Sequence, residues 1–283
     1  MSLDPGTRIG AVRLTVADLD RGREFYERTV GLTTLGDSDE AVCLGGRAGA
    51  VVELVGRPEA PPRPSGTTGL FHLAILLPDR AELARALRRV ADSASRLSGA
   101  SDHLVSEALY LQDPEGNGIE IYRDRPRDEW RRVDGELQMA TLPLDLDSVL
   151  AELNGEDAHD GASPDARLGH VHLQVADLEA AESFYAGILG FEVTVRGYPG
   201  ALFLSAGGYH HHVGLNTWAG EGAPAPPPDS LGLRWFEVVI PLGMELDQLA
   251  AGLRDAGHAT EPVDEGILTA DPSGNRVLLR AAG

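Results

Sequence analysis

The sequence predicts an α+β fold of four βαβββ modules, and two internal repeats carry that prediction. Val12-Arg13-Leu14-Thr15-Val16-Ala17-Asp18-Leu19 recurs as Val171-His172-Leu173-Gln174-Val175-Ala176-Asp177-Leu178. Each copy leads through a helical pattern to a Phe-Tyr pair, Phe25-Tyr26 or Phe184-Tyr185, and closes at Gly31 or Gly190. Further along, Asp113-Pro114-Glu115-Gly116-Asn117 recurs as Asp271-Pro272-Ser273-Gly274-Asn275. The chain is therefore read as two copies: an N-terminal half, 1–125, and a C-terminal half, 168–283, separated by a linker, 126–167.

Taken in order, Val12, Leu14 and Val16 alternate with polar residues, the period-2 pattern of a half-buried strand. Asp18 and Asp177 stand where a helix needs a side chain to accept its first free N–H groups. After a Pro-rich connector at Arg57–Gly69, a second strand is expected at Leu70–Leu77 and a helix around Arg80–Ala94. The second half repeats this, with a connector at Ala219–Ser230, a strand at Leu233–Ile240 and a helix around Leu246–Ala256. The Asp-Pro-x-Gly-Asn turns join the last two strands of each half. The linker is polar and acidic, with one short helix expected at Leu146–Leu153.

Of the 283 residues, 24 are basic and 44 acidic, a net charge of −20, which disfavours phosphate-backbone binding and an anionic membrane surface. The single cysteine, Cys43, cannot form an internal disulfide and is expected as a small buried residue. No basic n-region with an apolar run follows Met1, and no apolar stretch is long enough to span a bilayer, so a cytoplasmic location is expected. No motif bears on oligomeric state, and a homo-oligomer is compatible with the sequence.

Strand alternation decides which side chains leave the helix-covered face. With Val171, Leu173 and Val175 packed inward, His170, His172 and Gln174 face the other way, and His72 and Ala74 share that register in module two. In the last strand of module two, Ile119 and Ile121 go inward while Glu120 and Tyr122 face the cleft. One such His would be an ordinary polar residue on a sheet face. Two His and one Glu at equivalent positions make the ligand set of a facial triad, which holds Fe(II), and equally Mn(II), with positions left open.

The repeats Val-x-Leu-x-Val-x-Asp-Leu…Phe-Tyr…Leu-Gly-Phe and the four-module layout resemble the vicinal oxygen chelate superfamily, which includes glyoxalase I, bleomycin- and fosfomycin-resistance proteins and type I extradiol dioxygenases. The run His103-Leu-Val-Ser-Glu-Ala-Leu-Tyr110-Leu-Gln-Asp113-Pro114-Glu-Gly116-Asn-Gly-Ile-Glu120 is similar to the extradiol signature, with Ser101 a minor departure two places before the His. The resemblance spans nearly the whole chain outside the linker. It implies metal ligands on the first and last strands of paired modules. His72, Glu120 and His170 match those positions; Ala11, Trp235 and Leu278 occupy them in modules one and four, which leaves those modules without a site. The census therefore predicts that module two pairs with three and module one with four, in two pseudo-symmetric curved mixed sheets, an arrangement similar to that of some hydroquinone-cleaving members.

The resemblance also implies roles for residues near the metal. Aligning Val213-Gly214-Leu215 with the strand that carries an acid/base His puts His211 in that role; if the segment is extended, His210 and His212 face away from it, and the register is open by one residue. Tyr110 matches a hydroxyl donor to the substrate, and His103 a His that hydrogen-bonds the substrate oxygen. His172, Glu237, Trp218 and Trp235 are read as structural, His159 and His258 as solvent-exposed, and Glu53 as no ligand. The implied activity is an Fe(II)-dependent extradiol dioxygenase of the catechol 2,3-dioxygenase kind, with a small catechol-like or hydroquinone-like aromatic diol and dioxygen as substrates. The alternatives are another metal enzyme of the superfamily, of glyoxalase or thiol-transferase type, and a non-catalytic protein that binds an aromatic ligand. The His103–Tyr110–Glu120 run weighs against both.

Overall fold

The computed structural model describes residues 2–155, 164–241, 246–264 and 266–282; His159 lies outside them. Module one comprises β1 (Arg8–Val16), α1 (Leu19–Phe25), β2 (Thr33–Asp37), β3 (Ala41–Gly46) and β4 (Gly49–Gly56). Module two comprises β5 (Gly69–Leu77), α2 (Arg80–Asp92), β6 (Gly99–Asp102), β7 (Ser106–Gln112) and β8 (Gly118–Asp124). The linker holds a short hairpin, β9 (Arg132–Val133) and β10 (Glu136–Leu137), then β11 (Leu142–Pro143) and α3 (Leu146–Leu150), which ends in a tighter turn at Ala151–Leu153. Module three comprises β12 (Arg167–Gln174), α4 (Leu178–Glu182), β13 (Glu192–Val195), β14 (Ala201–Ser205) and β15 (Val213–Asn216). Module four comprises β16 (Gly232–Ile240), α5 (Leu246–Asp255), β17 (Glu261–Val263), β18 (Gly266–Ala270) and β19 (Arg276–Ala281).

The strand order confirms the expected pairing of modules. One sheet of nine strands runs β11-β6-β7-β8-β5-β12-β15-β14-β13 and joins modules two and three. The other, of eight, runs β17-β18-β19-β16-β1-β4-β3-β2 and joins four with one. Within modules two, three and four the first and last strands are parallel neighbours, β5 with β8, β12 with β15 and β16 with β19, the helix making the crossover that parallel pairing requires. The linker does more than span: its β11 adds an edge strand to the nine-stranded sheet, Leu142 pairing with Asp102.

Clustered by internal contacts, the chain forms two compact units, Met1–Arg13 with Pro61–Phe71 and His170–Gly283, and Leu14–Ala60 with His72–Gly169. Each unit keeps one copy of a lock made by the two sequence repeats. Asp18 Oδ1 accepts the N–H of Arg21, and Asp177 Oδ1 those of Glu179 and Ala180, so both aspartates cap helices as their position predicts. The helices then widen into π-helical turns, Tyr26–Val30 and Ser183–Ile188. Gly31 and Gly190, at φ 93° and 91°, turn the chain through a conformation that side-chain-bearing residues resist. In this position the Tyr26 hydroxyl donates to Asp113 Oδ2 at 3.2 Å and that of Tyr185 to Asp271 Oδ2 at 3.1 Å.

The aspartates are themselves fixed by their turns. Asp113 Oδ1 accepts the N–H groups of Glu115 and Asn117, and Asp271 Oδ1 those of Ser273 and Asn275. Both carboxyls are buried, which pushes them above the ordinary value of 3.8, with the bonds from Asn117 or Asn275 opposing. Burial likewise raises Tyr26 and Tyr185 well above 10.0, and the neighbouring carboxylates raise them further. The Phe-Tyr and Asp-Pro-x-Gly-Asn repeats are thus one structural device made twice.

Candidate metal centre

Three strands of the nine-stranded sheet carry the candidate site. On β5, His72 is the fourth residue; on the parallel β8, Glu120 lies opposite Ala74, two residues beyond His72 along β5. His170 comes from β12, the neighbour of β5 on its other side. One ligand atom of each of His72, Glu120 and His170 lies within 4.8 Å of the others, and all three side chains are buried, at 6%, 3% and 0% exposure. His72 Nε2 is 3.0 Å from Glu120 Oε2. Two donors held about 2.1 Å from one ion at right angles lie about 3 Å apart, so this spacing fits neighbouring ligands of a single cation. The donor chemistry fits too: two neutral nitrogens and one carboxylate suit a borderline divalent ion. Among the described residues the group has three members, which would leave a bound ion free to take further ligands.

Tyr110 sits beside this group because β7 pairs antiparallel with β8 in a register that sets it opposite Glu120. Its ring is 5.7 Å from that of His72, and it packs against a buried patch of Ala74, Leu76, Ala108 and Tyr122. Tyr122 therefore faces the same side as Glu120, as strand alternation requires.

His103 meets Tyr110, its Nε2 being 2.6 Å from the Tyr110 hydroxyl. Its Nδ1 is 2.7 Å from the carbonyl of Ala140 in the linker. A carbonyl only accepts, so Nδ1 carries the proton; in the neutral ring Nε2 accepts, and Tyr110 donates to it. In this arrangement the Tyr110 hydroxyl proton points to His103. The Ala140 carbonyl had no signal in the sequence, because the contact joins residues 37 apart through the linker.

The His-rich run 210–212 departs from the extended form on which its alternation depended. Residues 207–212 make a turn before β15 begins at Val213. Gly207 and Gly208, at φ 62° and 66°, are both left-handed, and a Cβ on Gly207 would come within 2.4 Å of the Pro5 carbonyl. The turn sets His211 against His170, ring centres 4.0 Å apart, and brings Nδ1 of His210 and His211 to 2.7 Å. His212 instead accepts the N–H of Ala206 through Nδ1, a structural tie within the turn.

Other assignments divide. Trp218, read as core, is 46% exposed and forms an edge with Phe71 and His172, at 5.1 and 5.4 Å between ring centres. His258 is half-buried against Phe184 rather than open to solvent. Cys43 is likewise half-buried. His172 is 4% exposed among aromatic rings, Trp235 lies under the Arg13 guanidinium at 5.9 Å, and Glu237 accepts the Ala11 N–H.

A family model described as the Glyoxalase/Bleomycin resistance protein/Dioxygenase superfamily matches residues 8–121 and 167–279, and the chain belongs to that superfamily. Within it the chain is catechol-2,3-dioxygenase-like: it is 42% identical over 278 residues to the Catechol-2,3-dioxygenase of Bacillus subtilis (strain 168), covering 96% of each chain. It is 34% identical over 119 residues to the Biphenyl-2,3-diol 1,2-dioxygenase 3 of Rhodococcus globerulus, 40% of this chain and 62% of that one. Among solved structures, a putative dioxygenase from Bacillus subtilis superposes with a TM-score of 0.70 at 12% identity, over 99% of this chain and 86% of that one. Glyoxalase I from Zea mays gives 0.60 at 16% identity, over 98% and 92%. These two likenesses support the fold. No helix among the described residues is long and apolar enough to cross a membrane.

Proposed function

We propose that the chain is an Fe(II)-dependent extradiol dioxygenase that cleaves a catechol-like or hydroquinone-like ring with dioxygen. The observation that carries this reading is the buried group of two His and one Glu, together with a full-length relative that is itself a catechol-2,3-dioxygenase. His72, Glu120 and His170 are the residues that would hold the ion. Mn(II) suits the same donors, so the identity of the metal is part of the proposal. When bound, the ion acidifies a diol and supplies the redox chemistry of ring cleavage.

The chain's own residues do the rest. Tyr110, its proton committed to His103 Nε2, turns an oxygen lone pair toward a diol beside Glu120 and accepts the diol's hydrogen bond. A proton leaving the diol can pass to Tyr110 as the Tyr110 proton moves to His103, whose Nδ1–H stays anchored on Ala140. His211, its ring against that of His170 and its Nδ1 bonded to His210, takes up and returns a proton near the reacting ring. The buried patch of Ala74, Leu76, Ala108 and Tyr122 would keep water from one side of Tyr110. The cytoplasm is the proposed compartment, since the lone Cys43 needs no oxidising environment.

The decisive experiment is anaerobic loading with Fe(II) or Mn(II), metal analysis, then oxygen uptake on adding a panel of catechols and hydroquinones. Stoichiometric oxygen consumption with a yellow ring-fission product is expected. Neither signal from the metal-loaded protein across the panel would remove the assignment.

A further inference from the structure

A pocket of about 280 Å³, lined by none of His72, Glu120 and His170, lies in the unit that contains residues 170–283. Its polar lining includes Arg63, Arg234, Arg276 and Ser230, and its apolar wall includes Pro226–Pro228 and Leu233. No Asp or Glu is among its described lining residues, although the chain carries a net charge of −20. Three guanidiniums without an acid among the lining residues make a positive spot on an acidic protein.

Two of these residues are incompletely served by the protein. Arg63, from the Pro-rich connector, is half-buried; it donates to the carbonyl of Leu70 at 2.8 Å and to Gln174 Oε1 at 3.3 Å, both neutral. Burial lowers its pKa from 12.5, as expected of a cation without an anionic partner. Ser230 is 6% exposed, and its hydroxyl has no hydrogen-bond partner among the described residues. By contrast Arg276 shares its charge with Glu261 at 3.0 Å, and Arg234 is tied to the Pro228 carbonyl. A half-buried charge and a buried hydroxyl lining one cavity are the complement of an oxyanion, which a guanidinium fork receives through two parallel bonds. The prolines and Leu233 suit an apolar body behind that oxyanion.

We propose that this pocket binds a small organic carboxylate, with Arg63 as its ion-pair partner and Ser230 as its hydroxyl donor. The carboxylate would dock independently of the metal, in contact with a connector whose Arg63 reaches Gln174 on β12, the strand of His170.

The test is calorimetric titration of the full chain, metal-loaded and metal-free, with benzoate, benzyl alcohol and inorganic phosphate. Benzoate is expected to bind equally with and without metal, at least tenfold tighter than benzyl alcohol and tighter than phosphate. Arg63→Gln should weaken benzoate at least tenfold and Ser230→Ala at least threefold, with metal content unchanged. Unchanged affinity in Ser230→Ala overturns the site, and that arm alone decides should Arg63→Gln fail to fold. Benzoate binding that disappears with the metal places the carboxylate at the metal group and also overturns it. Phosphate binding tighter than benzoate replaces the organic carboxylate with a bare oxyanion.

Discussion

The two sheets are built on one plan and have opposite contents. In the nine-stranded sheet His72, Glu120 and His170 converge, with donors within 4.8 Å of one another. At the aligned positions of the eight-stranded sheet stand Trp235, Leu278 and Ala11. That sheet still holds a buried carboxylate, Glu237, but one strand away, opposite Leu278. Both its oxygens are engaged: Oε2 accepts the N–H of Ala11 at 2.9 Å, and Oε1 is 3.3 Å from Arg280. Where the other sheet has a His on its first strand, here the Arg13 guanidinium covers the Trp235 ring. A carboxylate on the open face of such a sheet is therefore no ligand by itself. It becomes one when its neighbours are other lone pairs aimed at the same point, rather than N–H groups and cations that already neutralise it.

The sharpest way to break this contrast is to remove one side chain from each sheet. Glu120→Ala or His72→Ala should lose the metal and at least about a thousandfold of turnover, read by elemental analysis and oxygen uptake. Glu237→Ala should keep the metal and lose stability instead, by about 2 kcal/mol, because Ala11 N–H and Arg280 are left without it. Full metal in Glu120→Ala, or metal loss in Glu237→Ala, would erase the distinction between the sheets.

Next in size is the region around the candidate metal group. His211→Ala should retain metal while turnover falls about a hundredfold, and His212→Ala should cost about 1 kcal/mol of stability with turnover unchanged. Equal turnover losses in both would mean that the turn, not the His211 imidazole, matters. Tyr110→Phe and His103→Gln are each expected to lower turnover about tenfold, and the double variant by the same factor, since the two act as one dyad. Additive losses would separate them.

The plan of the molecule was legible because its signals are local and repeated. Alternation along β5, β8 and β12 identified His72, Glu120 and His170, and the empty positions at Ala11 and Leu278 implied the pairing of modules that the strand order shows. What stayed hidden depends on contacts between distant residues. Pairing Ala140 with His103 needs the linker to fold back onto β6, which no periodicity in a polar segment announces. The orientation of His210, His211 and His212 followed from a double-glycine turn lodged against Pro5, so a strand-based register did not apply. Exposure of Trp218 beside Phe71 was likewise invisible, since an aromatic residue in a short loop reads the same whether it is core or surface.

The smallest predicted effect tests the one feature the two halves share without difference. Tyr26 and Tyr185 are buried against Asp113 and Asp271, and their pKa values are raised well above 10.0. A tyrosine whose folded value exceeds its unfolded value contributes stability that is fully present below about pH 10 and is lost as pH rises toward the folded value. Asp113 and Asp271 have the same sign lower on the scale: their contribution is full below the ordinary 3.8 and lost as pH rises through the raised folded value. Denaturant unfolding as a function of pH should therefore show stability falling above about pH 10. Tyr26→Phe and Tyr185→Phe should each flatten part of that fall and each cost about 1–2 kcal/mol at neutral pH, where a buried carboxylate loses one donor. Equal costs would mark the two locks as interchangeable; a large inequality would show that one of the two units depends on its lock more than the other does.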